Sequence, residues 1–240
     1  MAGTKKVALI TGANKGLGLE IARQLGREGV TVVIGARDIA KGQTAANTLQ
    51  AERLDAHAVK IDVTSAEDIA ALPAFFATKF GGLDILINNA GVMKEREGEV
   101  NAKTLRSTFE ANVIGPFAVT QALLPLLKAS PAGRIVNHSS ILGSLTVNSA
   151  PDQISTEWLA PAYNSSKAAL NMLTIIQARQ LADTKIKVNA AHPGWVKTDL
   201  GTDAAPMETP DGAKTAVRLA LLPEDGPSGG YFHMNDTLPW

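Results

Sequence analysis

Along the 240 residues, short β-branched runs alternate with longer amphipathic or alanine-rich segments. A strand followed by a helix and another strand is the βαβ unit, so this order reads as a parallel sheet with helices packed on it. The runs place strands near Val7–Thr11, Thr31–Ala36, Ala56–Ile61, Asp84–Asn88, Arg134–His138, Lys187–His192 and Gly230–His233. Helices fall between them, at about 16–28, 39–53, 66–80, 101–129, 162–183 and 211–222. The strands are apolar nearly throughout, as expected when helices cover both faces. There is no internal repeat, low-complexity tract or charge block. The least regular stretch, Gly143–Pro161, is rich in Ser, Asn, Pro and Thr and contains Trp158. It reads as a candidate lid.

No linker divides the chain, so 1–240 is read as one domain. Hydrophobic residues are 45% and charged residues 19%, which suits a sizeable core. Lys+Arg and Asp+Glu are both 23, and no basic stretch is dense enough to track phosphates, which argues against nucleic acid. With no cysteine, disulfides, thiolate catalysis and thiolate metal sites are excluded, and a reducing compartment is favoured. Met1–Lys6 runs straight into a strand, leaving no room for a signal peptide, and no apolar run approaches bilayer length. A soluble, cytoplasmic protein is the expectation.

Gly12, Gly16 and Gly18 follow the first strand and open the first helix, with Asn14, Lys15 and Leu17 between them. A plain tight turn also uses glycines, but a strand before and a helix after suit a backbone that approaches a pyrophosphate at a helix N-terminus. The fold class is therefore a single doubly wound, Rossmann-type α/β sheet of about seven strands. Its cofactor-binding part covers about 1–130 and its catalytic and substrate-pocket part about 131–240.

The second strand ends in Gly35-Ala36-Arg37-Asp38. An acidic residue here favours NAD, whereas an arginine accommodates the 2′-phosphate of NADP. Arg37 is the first side chain free to reach outward, and Lys15 adds positive charge. Asp38 either turns inward toward a ribose or caps the next helix; the cap is preferred. The reading is NADP(H).

Tyr163 and Lys167 are four residues apart, hence on one face of a helix. A tyrosine with its ordinary pKa near ~10 is a poor proton donor-acceptor at neutral pH, and a nearby ammonium lowers that value. An exposed pair on an ordinary helix is the competing reading of these two residues alone.

Seven ordered motifs resemble those of the short-chain dehydrogenase/reductase family over nearly the whole chain. They are Thr11–Gly18, Asp62-Val63, Asn88-Asn89-Ala90-Gly91, Asn112, Val136–Ser140, Tyr163–Lys167 and Pro193–Thr198. Within the family, Thr11–Gly16, Ala36–Asp38 and His192–Asp199 look most similar to the NADPH-dependent carbonyl reductases. The resemblance implies reduction of a small ketone or aldehyde, with Tyr163 as proton donor, Ser140 bonding the substrate oxygen, and Lys167 lowering the tyrosine pKa and binding the ribose. Asn112 would hold a relay water. Asp62 and Val63 would meet adenine, unless Asp62 caps the next helix. Asn89, Ala90 and Gly91 would floor the cofactor, and Pro193, Gly194, Val196 and Thr198 would hold the nicotinamide end. Ser139 is the alternative to Ser140, because neighbouring strand residues point oppositely. Leu142, Trp158 and Trp195 would line the substrate pocket, and no metal is implied.

Two features depart from the family pattern. The stretch from Ser140 to Tyr163 is longer than in most of the family; carbonyl reductases tend to carry extra residues here, which in some of them block the usual subunit contact, so a monomer is plausible and a homo-oligomer stays open. His138 stands where many relatives have an apolar residue and is read as structural. The C-terminal Trp240 is read as core packing. The competing functions are an NAD-dependent alcohol or steroid dehydrogenase and a catalytically idle, NADP-binding regulatory protein.

Overall fold

The computed structural model describes residues 5–97, 100–150, 154–155 and 158–240. Its strands are β1 (Val7–Thr11), β2 (Thr31–Ala36), β3 (Ala56–Lys60), β4 (Ile85–Asn88), β5 (Arg134–His138), β6 (Lys187–Ala191), β7 (Tyr231–His233) and β8 (Asp236–Thr237). They form one sheet in the order β3-β2-β1-β4-β5-β6-β7-β8. β8 alone is antiparallel, folding back on β7. The expected count of about seven strands is thus corrected to eight. The extra strand is two exposed polar residues, which no apolar run announces.

The helices are α1 (Gly16–Arg27), α2 (Ile39–Ala51), α3 (Ala66–Phe80), α4 (Ala102–Phe109), α5 (Gly115–Ala129), α6 (Leu145–Ser149), α7 (Pro161–Gln180) and α8 (Thr209–Ala220). Because strand side chains alternate, Ile10 joins Ile21, Leu25, Leu49 and Leu219 under α1, α2 and α8. Its neighbour Leu9 joins Phe76, Leu123 and Leu127 under α3 and α5. Two apolar layers therefore clamp the sheet. β1 pairs with β2 on one side and β4 on the other, so the strand order reverses there. A crevice opens at such a reversal, beyond the carboxyl ends of the strands.

Asp38 is the N-cap of α2, accepting from the backbone nitrogens of Ala40 at 2.9 Å and Lys41 at 3.2 Å. Ser65, not Asp62, caps α3. Asp62 instead closes the preceding turn by accepting from the Thr64 nitrogen and hydroxyl at 2.9 and 2.7 Å.

The helix expected over 101–129 is interrupted by a π-turn at Glu110–Ile114. Pro116 has no N–H to give the Asn112 carbonyl four residues back, which favours a local change of winding. The irregular stretch 143–161 contains the short α6, capped by Ser144. Part of this candidate lid, 151–153 and 156–157, lies outside the described residues. Trp240 stacks on the buried Tyr231 at 5.3 Å, in line with its reading as core packing.

Candidate active site

The crevice is floored by the turn after β1. Gly12 has φ +64°, and a Cβ there would lie 2.9 Å from the Ala90 Cα, so both conformation and space require glycine. The Thr11 hydroxyl accepts from the backbone nitrogens of Asn89 and Ala90, each at 3.0 Å. The Asn89 amide donates to the Thr11 and Gly12 carbonyls at 2.8 and 3.3 Å and packs against Gly18. Asn89 and Ala90 thus brace the turn from β4.

Gly16 starts α1 with φ +55°, and the nearest atom to a Cβ built there is the Thr198 Cγ2 at 3.7 Å. That leaves room over the first N–H groups of α1, which have no helical partner and sit at the positive end of the dipole. A diphosphate fits this cradle. Half-buried Asn14 lies in the turn, and Leu17 packs into the core at its far side.

Arg37 follows β2, exposed and without a hydrogen-bond partner among the described residues. Lys15 differs from expectation: it is ion-paired with Asp199, both side chains being exposed. Its long stem reaches the loop after β6 rather than waiting beside Arg37. In the turn that follows β3, Val63 packs closely against Gly115 at the start of α5.

Further along, a Cβ on Gly91 would meet the Asn112 Oδ1 at 3.3 Å and the Lys167 Nζ at 3.6 Å, so these three residues converge. The Asn112 Oδ1 accepts from the Val92 nitrogen at 2.8 Å. Its Nδ2 donates to the Val92 carbonyl at 2.9 Å and to the Ser166 hydroxyl at 3.0 Å. Ser166 in turn donates to the Tyr163 carbonyl at 2.7 Å. The buried Asn112 amide holds the Val92 backbone through two bonds and ties it to α7 through the third.

On α7 the Lys167 Nζ lies 5.5 Å from the Tyr163 ring centroid and donates to the His138 carbonyl at 2.8 Å. Both side chains are buried, which removes the reading of an exposed Tyr/Lys pair. Burial lowers the Lys167 pKa to about 8, because the charged form loses its hydration. The Ser139 hydroxyl donates to the Asn171 Oδ1 of α7 at 2.6 Å, whereas the Ser140 hydroxyl accepts from the Leu142 nitrogen at 3.3 Å. Ser139 is therefore committed to the core, and Ser140 belongs to the turn beside Leu142.

His138 is buried, with both ring nitrogens unpartnered among the described residues. Burial first, then Lys167 and His192, lowers its pKa to about 3. His192 is likewise lowered to about 3, by burial and by His233, whose ring lies 5.0 Å away. The sequence reading of His138 as structural did not foresee this group of three imidazoles, which only the parallel pairing of β5, β6 and β7 brings together.

After β6, Pro193 is half-buried, and Gly194 is pressed against Met207 and His233. Val196 bridges to Met207. Thr198 donates to the Val196 carbonyl at 3.3 Å and accepts from the Gly201 nitrogen at 3.0 Å, and this loop carries it to Gly16.

Trp158 and Trp195 meet edge to face at 5.2 Å, and the Trp195 indole donates to the Gly201 carbonyl at 2.7 Å. A cavity of about 360 Å³ is lined by Met93, Glu95, Val100, Trp158, Leu159, Ala160 and Pro161. Of the three expected pocket residues, only Trp158 lines it. Glu95, which the sequence did not single out, accepts from the Tyr163 nitrogen at 2.7 Å.

A crevice at the strand reversal, with a glycine-rich cradle at a helix N-terminus at one end and a buried Tyr/Lys pair at the other, defines a dinucleotide-binding α/β fold. The short chain dehydrogenase family model matches residues 6–209, and the chain belongs to that family. Carbonyl reductase [NADPH] 1 of Sus scrofa is 34% identical over an alignment of 282 positions, covering 100% of this chain and 96% of the relative. Among solved structures, NADPH-bound carbonyl reductase from chicken fatty liver aligns with a TM-score of 0.86 at 29% identity, covering 98% of this chain and 99% of that one. Salutaridine reductase from Papaver somniferum aligns with a TM-score of 0.83 at 30% identity, covering 95% and 99%.

Proposed function

We propose that the protein reduces a small ketone or aldehyde to the alcohol, using NADP(H). The observation that carries this is the buried Lys167 ammonium 5.5 Å from the Tyr163 ring at the crevice wall. When bound, NADPH supplies the hydride. The turn at Gly12–Gly18, the exposed Arg37 and the loop at Pro193–Thr198 bind and orient it, with Asp62, Val63 and Asn89–Gly91 along its length. This divides the chain into a cofactor-binding part at about 1–130 and a catalytic part at about 131–240.

Tyr163 donates its phenolic proton to the oxygen of the developing alkoxide, and Ser140 holds that oxygen by a hydrogen bond. Lys167 lowers the tyrosine pKa, since its ammonium favours the phenolate. The Asn112 carbonyl, deprived by Pro116 of its ordinary helical donor, is the atom assigned to a relay water beside Lys167. The Asn112 side chain serves instead to fix α7.

The test follows loss of NADPH absorbance, then NADH, with a panel of aryl ketones, keto esters, aldehydes and quinones. Turnover with NADPH in preference to NADH is the expected result. Turnover confined to NADH, or tight cofactor binding with no turnover across the panel, would contradict it.

A further inference from the structure

The first turn of α7 lacks the usual means of satisfying its backbone. Tyr163 is the third residue of the helix, so its N–H is one of the donors with no partner inside it. Pro161 at the first position contributes no N–H, and Ala160 at the N-cap has no side-chain acceptor. The acceptor comes from 68 residues away, where the Glu95 Oε1 receives the Tyr163 N–H at 2.7 Å. The other oxygen, Oε2, is buried with no hydrogen-bond partner among the described residues. Leaving a carboxylate oxygen unpaired is costly. Its place at the positive end of a long helix offsets part of that cost.

Glu95 also joins two parts of the site. It lies in the 3₁₀ turn Lys94–Glu97, shortly after Val92, which the Asn112 amide grips through both its nitrogen and its carbonyl. It lines the cavity together with Trp158, Ala160 and Pro161. One side chain therefore ties the backbone of Tyr163 to the wall of the cavity beside it.

We infer that Glu95 is a positioning residue for proton transfer: by holding the Tyr163 backbone nitrogen, it keeps the phenol aligned with the substrate oxygen. The inference rests on the proposed role of Tyr163. A carboxylate that only stabilised the helix would alter the unfolding midpoint and leave kcat per folded molecule unchanged.

Glu95→Ala separates the two. The expected result is a kcat lower by about ten- to a hundred-fold, since small misplacements of a reacting group have effects of that size. NADPH affinity, read by fluorescence titration, should stay within about two-fold, because the phosphate cradle lies elsewhere. Adding Ala160→Ser places a hydroxyl at the N-cap, where it accepts the same third-position N–H. That double variant should recover kcat to within about three-fold of the parent protein. The inference is overturned if Glu95→Ala keeps kcat within about two-fold, or if the folded double variant stays as slow as Glu95→Ala. Should Glu95→Ala not fold, the double variant decides alone: recovered kcat supports the inference, and a folded but slow protein refutes it. Tyr163→Phe, measured in parallel, keeps the two readings apart. An active Tyr163→Phe refutes the proposed function, whereas an inactive one beside an active Glu95→Ala refutes only the role of Glu95.

Discussion

Strands β1 and β2 and strands β4 to β6 share one sheet but bury different chemistry. Along β1 and β2 the only buried polar side chains are the threonines Thr11 and Thr31. Along β4 to β6 the sheet buries Asn88, Arg134, Asn137, His138 and Asn189. The Asn88 amide donates to the Thr120 hydroxyl of α5 at 3.1 Å and to the Asn137 Oδ1 at 2.9 Å. Asn137 then donates to the Thr174 hydroxyl of α7 at 2.9 Å. Ser139 with Asn171, Asn112 with Ser166, and Lys167 with the His138 carbonyl add three more bonds to the same helix. Binding a diphosphate through backbone N–H groups needs shape and a rigid, dry platform. Moving a proton needs ionisable groups held away from water, and such groups are tolerated when hydrogen-bonded, as Lys167 is, or held neutral, as His138 is. The polar half of the core is thus the anchorage of α7, the helix that carries Tyr163 and Lys167.

The comparison can be broken by substitutions on its two sides. Leu9→Ala, in the dry half, should cost about 2–5 kcal/mol of stability in urea unfolding and leave kcat of the folded protein unchanged. Asn137→Leu should cost about 2–3 kcal/mol, because it removes two buried hydrogen bonds, the one accepted from the Asn88 amide and the one donated to the Thr174 hydroxyl. Unlike Leu9→Ala, it should also lower kcat, since it loosens α7. Equal effects on kcat from the two would erase the distinction.

Arg37→Ala should weaken NADPH by about 1.5–3 kcal/mol, the usual worth of hydrogen bonds to a charged group, and leave NADH unaffected. Fluorescence titration with both cofactors checks this, and unchanged discrimination would remove Arg37 from the phosphate site.

The last effect concerns acid stability. His138 and His192 have folded pKa values of about 3, below the ordinary 6.5 of the unfolded chain. Between those values the unfolded chain binds more protons, so stability falls as pH drops below 6.5 toward 3. His138→Val should flatten that fall by about one proton, or about 1.4 kcal/mol per pH unit. Urea unfolding from about pH 6 to about pH 4 reads it directly; an unaltered slope would mean that His138 is not held neutral.

Much of the fold was legible in the sequence because the apolar runs are buried along most of their length: seven strands lie within a residue or so of where the runs place them. The departures have local causes. β8 is polar and two residues long, and the π-turn at Glu110–Ile114 carries Asn112, which bonds Val92, 20 residues away. The Gly115-Pro116 pair inside an apolar run was the one sequence signal of that break. Asp38 was readable as a cap because capping is local. The pairing of Lys15 with Asp199 and the cap supplied by Glu95 span 184 and 68 residues, and only the folded chain reveals them. The Tyr163/Lys167 pair was readable because one helical turn brings it together. The cavity around Trp158 was not, because loops from two parts of the chain build it.

The central claim is that the β1–β2 half of the sheet cradles the cofactor's phosphates while α7, anchored on β4 to β6, supplies the proton. Tyr163→Phe tests it most directly, with NADPH affinity by fluorescence titration and carbonyl-dependent NADPH oxidation measured on the same preparation. The account predicts unchanged affinity and a rate lower by about 10²–10⁴-fold, the usual contribution of a positioned general acid. Near-normal turnover in that variant would contradict it.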